Sequence, residues 1–516
     1  MIRPESYRRG AFSSTALQLM AQGLAFVFNL VMAYCFGAVD ATDVLNYCIT
    51  TFTLVASFML TLDSTVLIPE AMRRRHQESA ESSMQFMNFF LYVFAGIALT
   101  LSLVAAWRPI GFLTSLSRFD AAMLEAHRPL ILWVIPVFAL QLVAQYANSI
   151  LVSYKYFSLP AMWAVVCRVF NIAFVLLFYR QLGVVALAQS LILGLVLQTL
   201  VSFWLMRRHL GWRFAFRLPR IQGAVWRNVA YTEVGVLVFA FASFTPILMA
   251  SAAAEGFVTA MNYAIKMSSI PEALIGGQIA LIVGIKLNEL AAKRESAEFS
   301  RAYERISRLM IWLCTPLAFL LALAAPGMLE ILFLRGAYTQ EALRITTLLF
   351  QGLILGLPMA VFHALFLQAL AAQQKVLLRN AFAIVLCSAL VGALWWLVPR
   401  IGILHYPLIK VGYAYVVYFC SIPLWIKWFP AVRFWRVFGA LVGTMAANGA
   451  LAFGIWRLAG AWLKGGPGLH ALVLAGGFGV GAVLLMAWCP WNRMPRSYMA
   501  ELWRTGRMRL ARRRPS

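Results

Sequence analysis

Negative charge is scarce in this chain of 516 residues: 19 Asp and Glu stand against 44 Lys and Arg, and charged residues of both signs make up only 12%. Soluble domains carry about 25% charged residues, so the bulk of the chain is not one. Cysteine patterning is also missing. The seven cysteines (35, 48, 167, 314, 387, 420 and 489) form no CxxC or comparable ligand spacing, fall in or beside apolar runs, and read as small core residues. The six histidines contain no HxxxH pair, which leaves a zinc or two-metal enzyme without its ligands; no metal and no other cofactor is expected. Nor do polar and apolar residues alternate over about ten positions, the mark of a membrane β-barrel strand.

Hydrophobicity is what the chain has, at 62% of residues and a mean hydropathy of +0.78. Windows of about 20 apolar residues, enough to cross a hydrocarbon core of about 30 Å, recur from Phe12 onward and leave no room for a soluble domain. The fold expected is an all-α polytopic membrane protein of about fourteen transmembrane helices. The predicted spans are 12–36, 45–69, 84–107, 130–153, 158–179, 183–206, 229–253, 257–285, 309–334, 342–370, 376–398, 401–427, 435–460 and 469–489. The first run is longer than a signal-peptide core and lacks an evident cleavage site, so it reads as the first span.

A net charge of +25 invites a nucleic-acid reading, but its placement points elsewhere. With the N-terminus inside, 32 of the 44 basic residues fall in cytoplasmic segments, eight outside and four within spans. That bias is the positive-inside rule. It predicts cytoplasmic N- and C-termini, and the partners it suggests are anionic membrane lipids at the basic loops and the tail "RMRLARRRPS", not nucleic acid.

A repeat divides the chain. "DVLNYCITTFT" (Asp43 to Thr53) aligns with "TAMNYAIKMSS" (Thr259 to Ser269) at an offset of 216, and "VSYK" ending at Lys155 corresponds to "AAQQK" ending at Lys375 at an offset of 220. Each half has an even number of crossings, so the halves are parallel repeats about an axis along the membrane normal, an arrangement that usually encloses a central cavity. The organisation expected is an N-terminal lobe (1–206, spans 1–6), a basic cytoplasmic linker (207–228), a C-terminal lobe (229–428, spans 7–12), two further helices (429–492) and a basic tail (493–516).

Ionisable residues inside spans cost about 2.5–3.5 kcal/mol at a helix centre on translocon scales, and they mark functional sites by default. The candidates are Asp63, Arg168, Glu233, Lys266, Glu272 and Lys410. Asn262, Tyr263 and Ser269 lie at i−4, i−3 and i+3 from Lys266 and form a polar stripe suited to an anion. Pro271 is expected to kink this helix one turn beyond the lysine. The plainer reading of Lys266 is an ion pair with Glu233 or Glu272, of Asp63 a local pair with Arg73 to Arg75, and of Arg168 and Lys410 structural charges.

Four stretches resemble the MviN/MurJ group of lipid-linked precursor flippases: "FGAVDATD" its turn after the first span, "NYAIKMSSIPEALIG" its eighth helix, "LFLRGAYT" its RGxFT element, and "LGLPMAVFHALFLQALAAQQK" its tenth helix. The group lies in the superfamily that also holds polysaccharide flippases and multidrug exporters. The resemblance implies two lobes that open alternately to either side while a polyprenyl-pyrophosphate saccharide passes between them. Lys266 matches a basic position of the motif and Asp43 its turn aspartate. The first span departs from the family pattern S-R-x-x-G-x-x-R-D. In "AQGLAFVFN" Gln22 and Phe28 replace the arginines and Asn29 the aspartate, while Thr50 takes the place of a basic residue in span two.

The expected function is therefore a flippase for a polyprenyl-pyrophosphate-linked saccharide of the bacterial cell envelope, in the cytoplasmic (inner) membrane. A capsule or exopolysaccharide precursor is favoured over lipid II. Lys266, Asn262, Tyr263, Ser269, Gln22 and Asn29 are the candidate substrate contacts, and Asp43, Asp63, Glu233, Pro271 and Arg168 the gating or coupling candidates. Glycan-synthesis enzymes are further partners to consider. The alternatives are a transport-incompetent membrane scaffold, a drug exporter, or a membrane polysaccharide polymerase or ligase. An enzyme is disfavoured because the longest outer loop, 108–129, offers only Asp120, Glu125 and His127 beside its arginines.

Overall fold

A computed structural model describes residues 7–62, 66–219, 221, 223–277, 283–284, 287–291, 293, 295–373, 375–429, 432–460 and 467–488. Among them there is no strand. The helices are α1 (Tyr7–Phe36), α2 (Asp40–Leu62), α3 (Ile68–Gln77), α4 (Ala80–Trp107), α5 (Pro109–Leu116), α6 (Ala121–Ala126), α7 (Arg128–Ser153), α8 (Ser158–Leu182), α9 (Val185–Leu210), α10 (Gly223–Ala250) and α11 (Phe257–Pro271). They continue with α12 (Ser296–Phe333), α13 (Gln340–Ile354), α14 (Leu357–Ala372), α15 (Val376–Ile401), α16 (Tyr406–Trp428), α17 (Phe434–Gly460) and α18 (Pro467–Trp488). A π-helical turn, Glu272–Gly277, follows α11 directly.

Ten of these helices are long and apolar enough to cross a membrane, or eleven if α13 and α14, bent by 44°, form one broken span. The count of fourteen is thus not reached among the described residues. At the expected second, eighth and fourteenth spans stand α2, α11 and α18, helices of 23, 15 and 22 residues.

Two compact units interleave along the chain. One comprises Met1–Tyr263, Leu332–Ile345 and Ala383–Ile403; the other comprises Ala264–Ile331, Thr346–Phe382 and Leu404–Ser516. In lipid no hydrophobic force drives helices together, so close packing and hydrogen bonds must hold them. The first unit shows both. Phe52 of α2 stacks on Phe138 of α7 at 5.5 Å, and Tyr146 of α7 donates its hydroxyl to the Met87 carbonyl of α4 at 3.0 Å. In the second unit Trp425, fully buried, stacks on Phe366 at 4.4 Å and meets Tyr418 at 5.1 Å.

Sequence explains the helix ends. Ser79 is extended and its hydroxyl accepts the Ser82 N–H at 3.0 Å, an N-cap that starts α4. Gly211, left-handed at φ 61°, stops α9.

The three arginines of "RRR" are all engaged. Arg73 and Arg74 share Glu70 at 2.7 and 2.9 Å, Arg74 lies over Phe86, and Arg75 lies over Tyr154. Hydrogen bonds from Arg73 hold the Glu70 carboxyl below the usual carboxylate range against its partial burial. The acidic partner of this cluster is therefore Glu70. Asp63 lies outside the described residues.

The basic stretch after α9 is tied down as well. Trp212 is buried and donates its indole N–H to Asn88 Oδ1 at 2.7 Å, while Asn88 Nδ2 donates to the Arg213 carbonyl at 2.6 Å. Tyr92 donates to the Phe214 carbonyl at 3.1 Å. Replacing Asn88 with Ala leaves the buried indole N–H without its acceptor, a loss of about 1–3 kcal/mol. The expected result is a lowered unfolding midpoint together with faster cleavage of residues 211–219 by an added protease; unchanged cleavage would show that the side-chain ties do not hold this segment.

Candidate functional site

Three turns of the first unit converge, and each carries a glycine at positive φ: Gly37 at 68°, Gly256 at 77° and Gly336 at 67°. The crossings are tight. A Cβ on Gly256 would sit 2.5 Å from the Ala38 carbonyl oxygen, and one on Gly336 would collide with the Tyr34 carbonyl. The Ala337 N–H donates to that Tyr34 oxygen at 2.9 Å. Glycine is required at both places by conformation and by space. "FGAVDATD" and "LFLRGAYT", two of the stretches that carry the family resemblance, therefore meet.

Around these turns α2 and α11 cap one another. Asp43, buried at the start of α2, accepts the Thr259 N–H at 2.7 Å, and the Gly256 and Val258 N–H groups also bond to it. In return Glu255 accepts the Asp40 N–H at 3.4 Å. A helix start leaves four N–H groups without intrahelical acceptors and favours a negative group, and here each helix draws its carboxylate from the other's turn. Burial and the neighbouring Glu255 carboxylate raise the Asp40 carboxyl, with His127 opposing them.

The 216-residue offset reappears as contact. Asn262 Nδ2 donates to Asn46 Oδ1 at 3.2 Å, so two residues equated by the repeat bond to each other. Asn46 also donates to Thr259 Oγ1 at 3.2 Å. Asn262 is thus engaged within the first unit.

Tyr263 requires a correction as a substrate contact. Its side chain is fully buried, packed on Phe333 at 5.2 Å and Tyr338 at 5.9 Å. Its repeat partner Tyr47 is likewise buried against Phe119 and Phe244 and donates to the Leu116 carbonyl. Both tyrosines are packing residues, because an aromatic ring sealed on all sides offers nothing to a ligand.

In the second unit Lys266 is half-buried and Ser269 exposed; the serine hydroxyl donates to the Lys266 carbonyl at 2.8 Å. Pro271 closes the α-helix and Glu272 opens the π-turn. The helix thus changes type at the proline, since the missing N–H and the ring clash end regular α-hydrogen bonding there. Glu272 interacts electrostatically with Lys410, which also bonds to Tyr406.

The remaining candidates lie in the first unit. Gln22 is exposed. Asn29 is buried and donates to the Ala25 carbonyl at 2.8 Å. Thr50 donates to the Asn46 carbonyl at 2.7 Å. Glu233 Oε1 is buried without a hydrogen-bond partner among the described residues. Arg168 is half-buried on α8. Thr259, Glu255, Gly256 and Gly336 have no signal in the sequence beyond the motifs around them, because their roles depend on segments about 215 to 300 residues apart meeting in space.

A "Probable lipid II flippase MurJ" from Bdellovibrio bacteriovorus is 25% identical over 137 residues, so the alignment spans 25% of this chain and only 26% of that relative's length. A solved structure of the lipid II flippase MurJ in an inward closed conformation superposes with a TM-score of 0.75 at 13% identity, covering 92% of this chain and 98% of that one. An inward-facing multidrug resistance MATE family transporter of the MOP superfamily follows at a TM-score of 0.65 and 13% identity, covering 83% and 98%. Identities this low speak to fold alone. The sequence pattern of the lipid II flippase MurJ family, however, matches residues 32–473, and the chain belongs to that family.

Proposed function

We propose that this chain is a flippase that moves a polyprenyl-pyrophosphate-linked saccharide across the cytoplasmic membrane by alternating access, with a headgroup other than that of lipid II. The observation that carries the reading is the family match over residues 32–473 in a chain that keeps a half-buried cation, Lys266, on α11. A pyrophosphate is attracted to a cation more strongly in a low-dielectric cavity than in water, and it offers charge-assisted hydrogen bonds. The parallel six-span lobes, 1–206 and 229–428, are supported by the contact between the repeat-related Asn46 and Asn262.

The preference for another saccharide rests on the first span. Gln22, Phe28 and Asn29 are neutral, and Asn29 spends a donor on the backbone. Such a surface grips a diphosphate weakly and favours a headgroup held through sugar hydroxyls. Cytoplasmic termini and anionic lipids at the basic segments complete the reading, with glycan-synthesis enzymes as the source of substrate.

Proteoliposomes loaded with fluorescent lipid II, or with a polyprenyl-diphosphate oligosaccharide of the capsule type, test this directly. Faster flipping of the oligosaccharide is expected. Faster flipping of lipid II would reverse the substrate preference, and no flipping of either would leave the membrane scaffold as the better reading.

A further inference from the structure

Arg168 stands ten residues into α8, a helix of 25 residues. At 1.5 Å per residue its Cα lies about 15 Å from Ser158 and about 21 Å from Leu182, too deep for the side chain to carry its charge to either surface. The residues at i−7, i−3, i+3 and i+7, namely Ala161, Val165, Asn171 and Val175, are all buried. Arg168 therefore belongs to the packed face of α8, opposite the face where Val166 and Leu177 are exposed.

Among the described residues nothing neutralises it. The salt bridges of the first unit join Glu70 to Arg73 and Arg74, Glu125 to Arg128, Glu81 to Arg217, and Glu341 to Arg344. The titratable group beside Arg168 is the Cys167 thiol, which offers no counter-charge in its ordinary protonated form. A cation held at this depth without a carboxylate is costly to the chain alone, and the cost falls when an anion arrives.

Two contacts fix what lies level with it. Ser13 Oγ meets Ser158 Oγ at 3.3 Å, a separation of 145 residues, and the rings of Phe36 and Tyr179 meet at 6.4 Å, a separation of 143. Hence α1 and α8 run side by side in the same direction, and Arg168 is level with the stretch from Gln22 to Ala25. That stretch carries no charge, and the helix surface at Gly23 is open, with no atom within 4 Å of where a Cβ would sit.

We infer that Arg168 binds the phosphate group of the transported lipid, supplying from the fifth span a positive charge that the first span does not offer. This rests on the flippase reading. The guanidinium suits the role because its planar fork presents paired donors to two phosphate oxygens, whereas a lysine offers a point charge.

The test uses the full chain in detergent micelles, with binding of undecaprenyl diphosphate, undecaprenol, phosphatidylglycerol and inorganic pyrophosphate measured separately. Wild type is expected to prefer the diphosphate to the alcohol, and Arg168→Gln to reduce that preference about tenfold, the size of one lost charge-assisted hydrogen bond. Arg168→Lys is expected to lose less, and undecaprenol affinity to stay constant throughout. Undecaprenol binding doubles as the folding control; if Arg168→Gln loses it, Arg168→Met decides by the same criterion. An undiminished preference in the neutral variant overturns the inference and leaves the flippase reading standing, whereas a wild type with no preference sinks the flippase reading itself. Arg168-dependent binding of phosphatidylglycerol or inorganic pyrophosphate as tight as that of the diphosphate overturns the assignment to the transported lipid.

Discussion

Lys266→Ala is expected to slow flipping of a polyprenyl-diphosphate saccharide in proteoliposomes by about 10- to 100-fold, since hydrogen bonds to charged groups are worth about 1.5–3 kcal/mol. Lys266→Arg, which keeps the charge, is expected to retain most of the rate. The unfolding midpoint is expected to move less than the rate, because the lysine is only half-buried. The competing view makes Lys266 a structural ion pair with Glu272. That carboxylate lies six residues on, across the change from α- to π-helix, and its electrostatic partner is Lys410. A structural pair predicts the opposite pattern, with stability lost and the rate lost only in proportion. An alanine variant that flips at the wild-type rate would remove the lysine from the binding site.

The class of fold was legible because hydropathy is a local property. A run such as residues 84–107 announces a membrane helix from its own composition, and the structure places the helix Ala80–Trp107 there. The eighth span shows where that logic stops. Its apolar window continues through Pro271, whereas the regular α-helix ends at Pro271 after 15 residues, because composition records hydrophobicity and not hydrogen-bond register. The repeat was legible through the paired Asn-Tyr dipeptides, but the sequence could not say that Asn46 and Asn262 touch, or that Tyr47 and Tyr263 are sealed in aromatic packing. Reading Tyr263 as part of a polar stripe failed because helical spacing gives the direction of a side chain and not what stands in front of it. The cysteines divide in the same way: Cys48, Cys167 and Cys314 are buried, while Cys420 is exposed. The junction of three glycine turns was the least visible feature, since it depends on long-range contacts.

That junction makes Asp43 the second residue whose loss should be severe. Asp43→Ala withdraws the acceptor of the Thr259 N–H and of the Gly256 and Val258 N–H groups, and leaves them in a buried setting. Each unsatisfied donor costs about 1–3 kcal/mol, so the expected loss is roughly 3–9 kcal/mol, concentrated at the start of α11. Asp43→Asn keeps one acceptor oxygen in place and puts an amide donor where the other stood, so a loss of about 1 kcal/mol is expected. Hydrogen exchange separates this local effect from global unfolding. In the alanine variant the amides of residues 256–262 should lose protection while those in the middle of α7, held by the Tyr146 bond to α4, keep theirs. The transport rate should fall with that protection, because α11 also carries Lys266 and a frayed first turn frees the helix from the turn at Asp43. If the amides of residues 256–262 exchange as slowly in Asp43→Ala as in the wild type, the carboxylate does not hold this helix start, and the reciprocal caps with Glu255 are not what fastens α2 to α11.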